Sequence, residues 1–129
     1  MMGETRTKPG WSVELRLVRE WLKQLDDDTY GQVLSALVLL EERGPTLGRP
    51  LVDSVAGSRH RNMKELRPGS VGRSEVRVLF AFDPQRQAIL LLGGDKRGQW
   101  RKWYRVNIPL ADDLFDEHLD RLNTKETKR

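Results

Sequence analysis

Hydrophobic residues alternate with other residues most clearly over positions 76–82, and this two-residue period predicts a β-strand with one strongly apolar face. Arg77 falls between the residues of that face and is expected to point away from it. Turn-forming residues at 83–87 separate this strand from a continuous apolar run at 88–92, which the glycine pair at 93–94 is expected to end. The pattern predicts two antiparallel strands joined by a short connection.

The start of the chain carries two competing patterns. Apolar residues alternate over positions 11–17, which suggests a short strand, although the same residues could begin a helix. Helical spacing then continues to Leu25 and predicts a short amphipathic helix. The aspartates at 26–28 are expected to cap a second helix that runs to about Arg43, with Gly44 as its stop. Three adjacent aspartates at a helix start cannot all face one ion, so capping explains them better than a metal site.

Two further elements follow from the same reasoning. A strand is predicted around positions 62–67, where Glu65 and Arg67 share one face and Leu66 takes the other. Positions 52–57, before it, are expected to add only a turn. A last helix is expected to start at positions 107–109 and to end near Leu122.

His118 lies on the apolar face of that last helix and is interpreted as a core or rim histidine. The chain is expected to form a single domain over 1–129, with flexible ends at about 1–10 and 123–129. The fold class predicted is α+β, with two N-terminal helices packed on a twisted, mainly antiparallel sheet and a C-terminal helix.

The composition excludes several classes of protein and of active site. The chain has 129 residues and no cysteine, which excludes a disulfide framework, a thiolate nucleophile and a cysteine zinc site. The start of the chain lacks the apolar run of a signal peptide, and no window is long and apolar enough for a membrane span. A cytoplasmic location without membrane contact is therefore expected.

Charge is distributed unevenly. Positions 59–105 contain twelve Lys or Arg residues against four Asp or Glu residues, a net charge of +8, whereas the segments on either side carry −2 each. Such asymmetry points to a polyanionic partner. A solvated basic surface is the alternative, and composition alone does not decide between them.

Known catalytic patterns are missing. His60 and His118 have no ligand-spaced partners, no glycine-rich phosphate loop is present, and no serine lies in a nucleophile elbow, so neither a metal nor another cofactor is expected. Trp100 and Trp103 could stack on bases, but core packing is the preferred interpretation for both.

Six cations from neighbouring predicted strands are expected to form one patch: Lys64, Arg67, Arg73, Arg77, Lys96 and Arg97. The guanidinium of arginine donates two parallel hydrogen bonds to phosphate oxygens. Clustered cations stabilise the charge that develops when an RNA 2′-hydroxyl attacks the next phosphate. This chemistry needs a base and an acid but no metal. Binding without cleavage remains the alternative.

Four segments resemble the RelE/HigB-like toxins of type II toxin–antitoxin modules, in particular their phage-derived HigB-like branch: KELRPGS, RSEVRVLFAFDP, AILLLGGDK and WYRVNIPLADDLFDEHL. The resemblance covers roughly positions 11–122. It implies a RelE-type fold and metal-independent, ribosome-dependent cleavage of mRNA, which inhibits translation. It also implies a helix-turn-helix antitoxin that forms a hetero-oligomer with the chain.

The resemblance also implies roles for individual residues. Arg77 would stabilise the scissile phosphate, and Lys64 and Arg67 would position substrate and transfer protons. Lys96 or Arg97 would supply the later basic position, and Tyr104 would orient the substrate. Further RNA contacts are expected from Arg59, Arg61, Arg73, Arg97, Arg101 and Lys102. The alternatives are a ParE-like gyrase poison and a relative that binds nucleic acid without cleaving it.

Overall fold

The computed structural model describes residues 10–69 and 75–127, with side chains to residue 124, and these residues fold around a five-stranded sheet. The strands are Ser12–Glu14 (β1), Val52–Ser54 (β2), Lys64–Leu66 (β3), Val76–Phe82 (β4) and Gln87–Asp95 (β5). The α-helices are Arg19–Leu22 (α1), Asp27–Arg43 (α2) and Trp100–Thr127 (α3). Short 3₁₀ turns occupy Arg16–Val18 and Gly44–Thr46.

The sheet is mixed, with the spatial order β1-β5-β4-β3-β2. The pairs β2–β3, β3–β4 and β4–β5 are antiparallel, as expected from the sequence. The pair β1–β5 is parallel, so the sheet is mainly but not wholly antiparallel. Parallel neighbours cannot be joined by a hairpin, and here α1, α2 and three strands lie between them in sequence.

Both faces of the central strands are covered. On one face, Val33 and Leu40 of α2 belong to the same buried cluster as Val78 and Phe80 of β4. On the other face, Leu79, Ala81, Ile89 and Leu91 pack with Ile108, Ala111 and Phe115 of α3. Alternation along β4 therefore separates two apolar faces, and Arg77 lies on the face that α3 covers.

At the start of the chain, the strand and the helix that competed in the sequence both occur, one after the other. The chain forms β1 first and turns into the 3₁₀ segment and α1 next, with α1 ending at Leu22 rather than Leu25. The predicted cap of α2 is confirmed, because an Asp26 carboxylate oxygen accepts a hydrogen bond of 2.8 Å from the Thr29 amide. The predicted stop is confirmed as well, since Gly44 has φ +53°.

Residues 52–54 form the edge strand β2 instead of a turn. Val52 pairs with Leu66 and is 4% exposed, so pairing with β3 and burial of its side chain hold this short segment extended. The strand predicted around 62–67 is confirmed as β3. Leu66 packs on the α2 side, and Glu65 faces the other way.

The glycine pair does not end β5, contrary to the sequence prediction. A Cβ at Gly93 would lie 2.6 Å from the Trp21 ring, and one at Gly94 would lie 2.6 Å from the Trp103 indole nitrogen. The two glycines thus let one tryptophan approach each face of the strand. Core packing is confirmed for Trp103, but it is wrong for Trp100, which is 53% exposed.

Helix α3 begins at Trp100 and includes Pro109, so the predicted start at 107–109 is wrong. Proline inside a helix costs about 3 kcal/mol through a lost hydrogen bond and a clash. Packing of Trp103, Tyr104 and Ile108 against the sheet favours the longer helix. The polar tail predicted beyond Leu122 is helical as far as Thr127.

His118 is confirmed as a buried histidine, and one of its ring nitrogens lies 2.8 Å from a carboxylate oxygen of Asp83. No helix in the ranges given above is long and apolar enough to cross a membrane. The flexible start expected at about 1–10 falls, except for Gly10, outside the described residues, as does Arg73.

Candidate functional site

Arg77 is the most enclosed of the predicted site residues. It is 8% exposed and lies on β4 opposite Gly94 of β5. Glu65 of β3 pairs with Leu79 and is diagonal to Arg77 on the same face, the one that α3 covers. One terminal nitrogen of its guanidinium donates to the Val76 carbonyl at 2.9 Å. Its Nε, which lies 3.8 Å from a Glu65 carboxylate oxygen, is buried without a hydrogen-bond partner among the residues that the structure describes. The Nε of this charged side chain is thus not used by any described residue.

Tyr104 closes this site from the side of α3. Its hydroxyl donates a hydrogen bond of 2.6 Å to Oε1 of Glu65. Burial, together with the hydrogen bond and charge of Glu65, raises the pKa of Tyr104 to about 12. At neutral pH the phenol therefore stays protonated and acts as a donor.

Lys96 brings a second cation to the same place. Its Nζ lies 2.5 Å from Oε1 of Glu75 and 5.9 Å from the centre of the Tyr104 ring. The Lys96 ammonium, by its hydrogen bond and its charge, holds the pKa of Glu75 below the usual range. The same Glu75 oxygen is 3.9 Å from Nη2 of Arg77, so one carboxylate links the two cations.

The site therefore contains two cations and two carboxylates, with a tyrosine hydroxyl between the sheet and α3. Sequence reasoning predicted Arg77, Lys96 and Tyr104 and missed Glu65 and Glu75 as members. The available signal was the predicted alternation of the strand around 62–67, which already placed Glu65 on the face opposite Leu66. Two carboxylates beside two cations keep the net charge of this cluster close to zero.

The expected convergence of six cations is wrong for Lys64, because it pairs with Phe80 and shares the α2 side of the sheet with Leu66. Arg67 lies near the edge of the sheet, where its guanidinium is 3.5 Å from an Asp53 carboxylate oxygen. The proton-transfer roles that the resemblance implied for Lys64 and Arg67 stay predictions without support from this arrangement.

Arg59 is engaged by aspartates in the middle of α3. Its guanidinium pairs with Asp113 at 3.1 Å and with Asp116, and its amide donates to Asp112 at 2.9 Å. Hydrogen bonds from Arg59 and then from His60 hold the pKa of Asp116 below its usual range. Arg59 thus fastens the segment before β3 to α3, and its predicted contact with RNA stays a prediction.

Exposed cations surround the start of α3. Arg101 lies 5.1 Å from the centre of the exposed Trp100 ring, and Lys102 is exposed beside it. A cavity of about 330 Å³ is lined by Arg97, Lys102, Trp103 and Asn107, among others. Arg61 is also exposed. Trp103 packs on Gly94, which pairs with Arg77, so the basic surface at the start of α3 lies next to the buried cluster around Arg77.

No group of three or more histidine, aspartate or glutamate side chains within the described ranges could hold a metal ion. The cluster around Arg77 can instead fix an anionic group through its donors, with Glu65 as a carboxylate within reach of the same space.

Comparison with known proteins identifies a family and two named relatives. The family described as phage-derived Gp49-like proteins (DUF891) matches residues 20–116. A protein of Mycobacterium tuberculosis (strain ATCC 25618 / H37Rv) named "Putative toxin HigB2" is 56% identical over 120 residues, which are 93% of this chain and 60% of the relative. A second protein of that strain, "Putative toxin HigB3", is 57% identical over 102 residues, which are 79% of this chain and 87% of the relative. The chain thus spans about three fifths of the length of the first relative.

Proposed function

The chain belongs to the phage-derived Gp49-like family, and on this premise we propose that it is a HigB-like toxin of a type II toxin–antitoxin module that cleaves mRNA on the ribosome without a metal ion. The names of the two mycobacterial relatives support the toxin assignment. One structural observation supports the chemistry. Arg77, whose buried Nε has no hydrogen-bond partner among the residues that the structure describes, shares a site with Lys96, Tyr104 and Glu65.

Arg77 and Lys96 are proposed to bind the scissile phosphate. Arginine stays charged at neutral pH, and its fork suits the oxygens of a phosphorane-like transition state. The Nε of Arg77, to which no described residue bonds, is available for such an oxygen. A phosphate would replace the Glu75 carboxylate between Arg77 and Lys96, exchanging one anion for another.

Glu65 is proposed to accept the proton of the attacking 2′-hydroxyl. Its carboxylate lies beside Arg77 and is oriented by the Tyr104 hydroxyl. As the 2′-oxygen bonds to phosphorus, the bond from phosphorus to the 5′-oxygen breaks, and the leaving oxygen takes up a proton from water. Glu65 then returns its proton to the solvent. The products are a 2′,3′-cyclic phosphate and a 5′-hydroxyl.

The exposed surface at the start of α3 is proposed to bind the flanking RNA. Arg97, Arg101 and Lys102 supply charge, and Trp100 offers a ring for base stacking. A cytoplasmic helix-turn-helix antitoxin, as implied by the resemblance, would neutralise the toxin.

The test is cleavage of a defined mRNA by the purified chain, with and without programmed ribosomes, in the presence of a chelator. Arg77→Ala is expected to lower the cleavage rate at least about 100-fold, as loss of a donor to a developing anion does. Arg19→Ala, at an exposed position of α1, is the matched control and should cleave like the wild type.

Arg77→Ala leaves Glu65 buried without its neighbouring charge and could unfold the chain. Arg77→Lys keeps the positive charge but loses the paired donors of the guanidinium. A folded Arg77→Lys protein with impaired cleavage would show that the loss of cleavage is not caused by unfolding. Cleavage at the wild-type rate by a folded Arg77 variant would show that the site is assigned wrongly. Absence of cleavage by the wild type under every condition would exclude the nuclease and leave a gyrase poison or a non-cleaving relative.

A further inference from the structure

Helix α2 exposes a row of large apolar side chains on its outer face. Tyr30, Leu34 and Val38 are 42%, 39% and 54% exposed. Their four-residue spacing places them one above the other along the helix. The residues of α2 that pack on the sheet, such as Val33 and Leu40, lie on another side, so this stripe is not needed for the core. A continuous apolar row of this kind marks a contact surface more often than scattered apolar residues do.

Acidic residues close both ends of the stripe. Asp27 precedes Tyr30 by three residues, and Glu41 follows Val38 by three, so both exposed carboxylates fall on the same side of the helix as the stripe. At a rise of 1.5 Å per residue the row from Asp27 to Glu41 is about 21 Å long. Over residues 26–43 five acids stand against one arginine, so α2 is acidic, whereas positions 59–105 are strongly basic.

A groove of about 650 Å³ runs beside the stripe. Its lining includes Ser35 and Leu39 of α2 and, across from them, Leu51. Gly31 and Ser35 separate the groove from the stripe, and a Cβ built at Gly31 would meet no atom within 4 Å. Because Gly31 and Ser35 are small, side chains of a partner can enter the groove beside the apolar row.

We propose that this stripe and groove dock an amphipathic helix of a partner protein whose apolar face carries Lys or Arg at both ends. A straight apolar row about 21 Å long next to a groove suits a helix laid along it. Carboxylates at both ends suit cations at matching positions of that helix. The same carboxylates repel phosphates, so this surface takes a protein and not a nucleic acid.

A second copy of the chain does not fit the stripe. If two α2 helices packed in opposite directions, Asp27 of each copy would meet Glu41 of the other. If they packed in the same direction, each acid would meet its own counterpart. Either pairing places like charges together, which disfavours self-association.

The docking surface and Arg77 lie on opposite sides of the sheet. A helix bound on α2 therefore leaves the RNA side open. The inference rests on the proposed function only for the identity of the partner, which in a toxin would be the antitoxin. The binding itself is tested without RNA or ribosomes, so it can fail or succeed independently of the nuclease.

The probe is a fluorescein-labelled helical peptide of about 20 residues, with leucine at three successive fourth positions and lysine at both ends. The control peptide has glutamate in place of those lysines. Fluorescence anisotropy with the full chain is expected to show at least about tenfold tighter binding of the lysine peptide, with the preference shrinking as salt is raised.

Leu34→Ser combined with Val38→Ser should weaken binding of the lysine peptide at least about tenfold. The matched control is Val106→Ser with Leu110→Ser on α3, whose side chains are 48% and 49% exposed and also four residues apart. This control should bind like the wild type. All four substitutions are at exposed positions, and circular dichroism verifies that each variant is folded.

Asp27→Asn combined with Glu41→Gln should abolish the preference for the lysine peptide. Failure of that peptide to bind, equal binding of the two peptides, or equal weakening by the α3 control would overturn the proposal. Analytical sedimentation tests whether a second copy of the chain occupies the stripe. A wild-type dimer that becomes a monomer in the Leu34→Ser, Val38→Ser variant would identify a second copy as the occupant and would also overturn it.

Discussion

Tyr104 of α3 donates a hydrogen bond of 2.6 Å to Glu65 of β3 and thereby fixes the start of the last helix to the strand beside Arg77. The contact joins residues 39 positions apart. It orients the carboxylate that is proposed to act as a base, and it covers that carboxylate with an aromatic ring.

Tyr104→Phe is expected to destabilise the chain by about 1–3 kcal/mol, because buried Glu65 loses a hydrogen-bond donor. Denaturant unfolding measures the change. Tyr30→Phe is the matched control, since Tyr30 is 42% exposed, and it should change the free energy of unfolding by less than about 0.5 kcal/mol. Equal effects of the two substitutions would show that the hydrogen bond does not stabilise the fold.

Gly94→Ala is expected to cost about 1–3 kcal/mol, because its Cβ would lie 2.6 Å from the Trp103 indole nitrogen and force that ring to move. Gly31→Ala, on the exposed side of α2, should instead stabilise the chain by about 0.5–1 kcal/mol, since nothing lies within 4 Å and alanine favours the helix. Thermal or denaturant unfolding distinguishes the two signs. A Gly94→Ala protein as stable as the wild type would contradict the close approach of Trp103.

The interaction of Asp83 with His118 predicts a dependence of stability on pH. Burial opposes ionisation of Asp83, but hydrogen bonds from His118 and Gln87 outweigh it and hold its pKa below the ordinary 3.8. Because the folded pKa lies below the unfolded one, the stabilisation is present above the unfolded value and is lost as the pH falls through the folded value.

The free energy of unfolding of the wild type minus that of Asp83→Asn should therefore shrink between about pH 5 and about pH 3. Chemical unfolding at a series of pH values gives this difference. The exposed Glu117→Gln variant is the control for loss of a surface carboxylate. A difference for Asp83→Asn that did not change with pH would exclude the contribution.

Arg101, at the start of α3, and Arg59, which pairs with the middle of α3, are expected to respond differently to substitution. Arg101→Ala should weaken binding of a single-stranded RNA and lower the slope of log K against log salt by about 0.7 for each phosphate that is no longer neutralised. Arg59→Ala should lower thermal stability instead, because Arg59 pairs with Asp113 and Asp116. Anisotropy at several salt concentrations, with melting curves for both variants, tests the assignment. A salt slope lowered equally by Arg59→Ala would place Arg59 in the RNA surface.

Local patterns predicted most of the elements. The period of two in β4, the cap at Asp26 and the stop at Gly44 need only interactions within a few residues, and all three are found. The predictions based on glycine and proline were wrong where tertiary packing outweighed the local preference of these residues. Gly93 and Gly94 continue β5 because tryptophans pack on them, and Pro109 lies inside α3 because the turns before it are held on the sheet.

The candidate site shows the same division. The sequence by itself determined that the middle of the chain is strongly basic and that Arg77 points away from the α2 side of its strand, because composition and a two-residue period are local properties. Only the tertiary structure decided which charges meet: Lys64 falls on the other face, while Glu65, Glu75, Lys96 and Tyr104 gather around Arg77. Strand register and the docking of α3 bring residues from distant positions together, and neither is encoded in the order of side chains along any one segment.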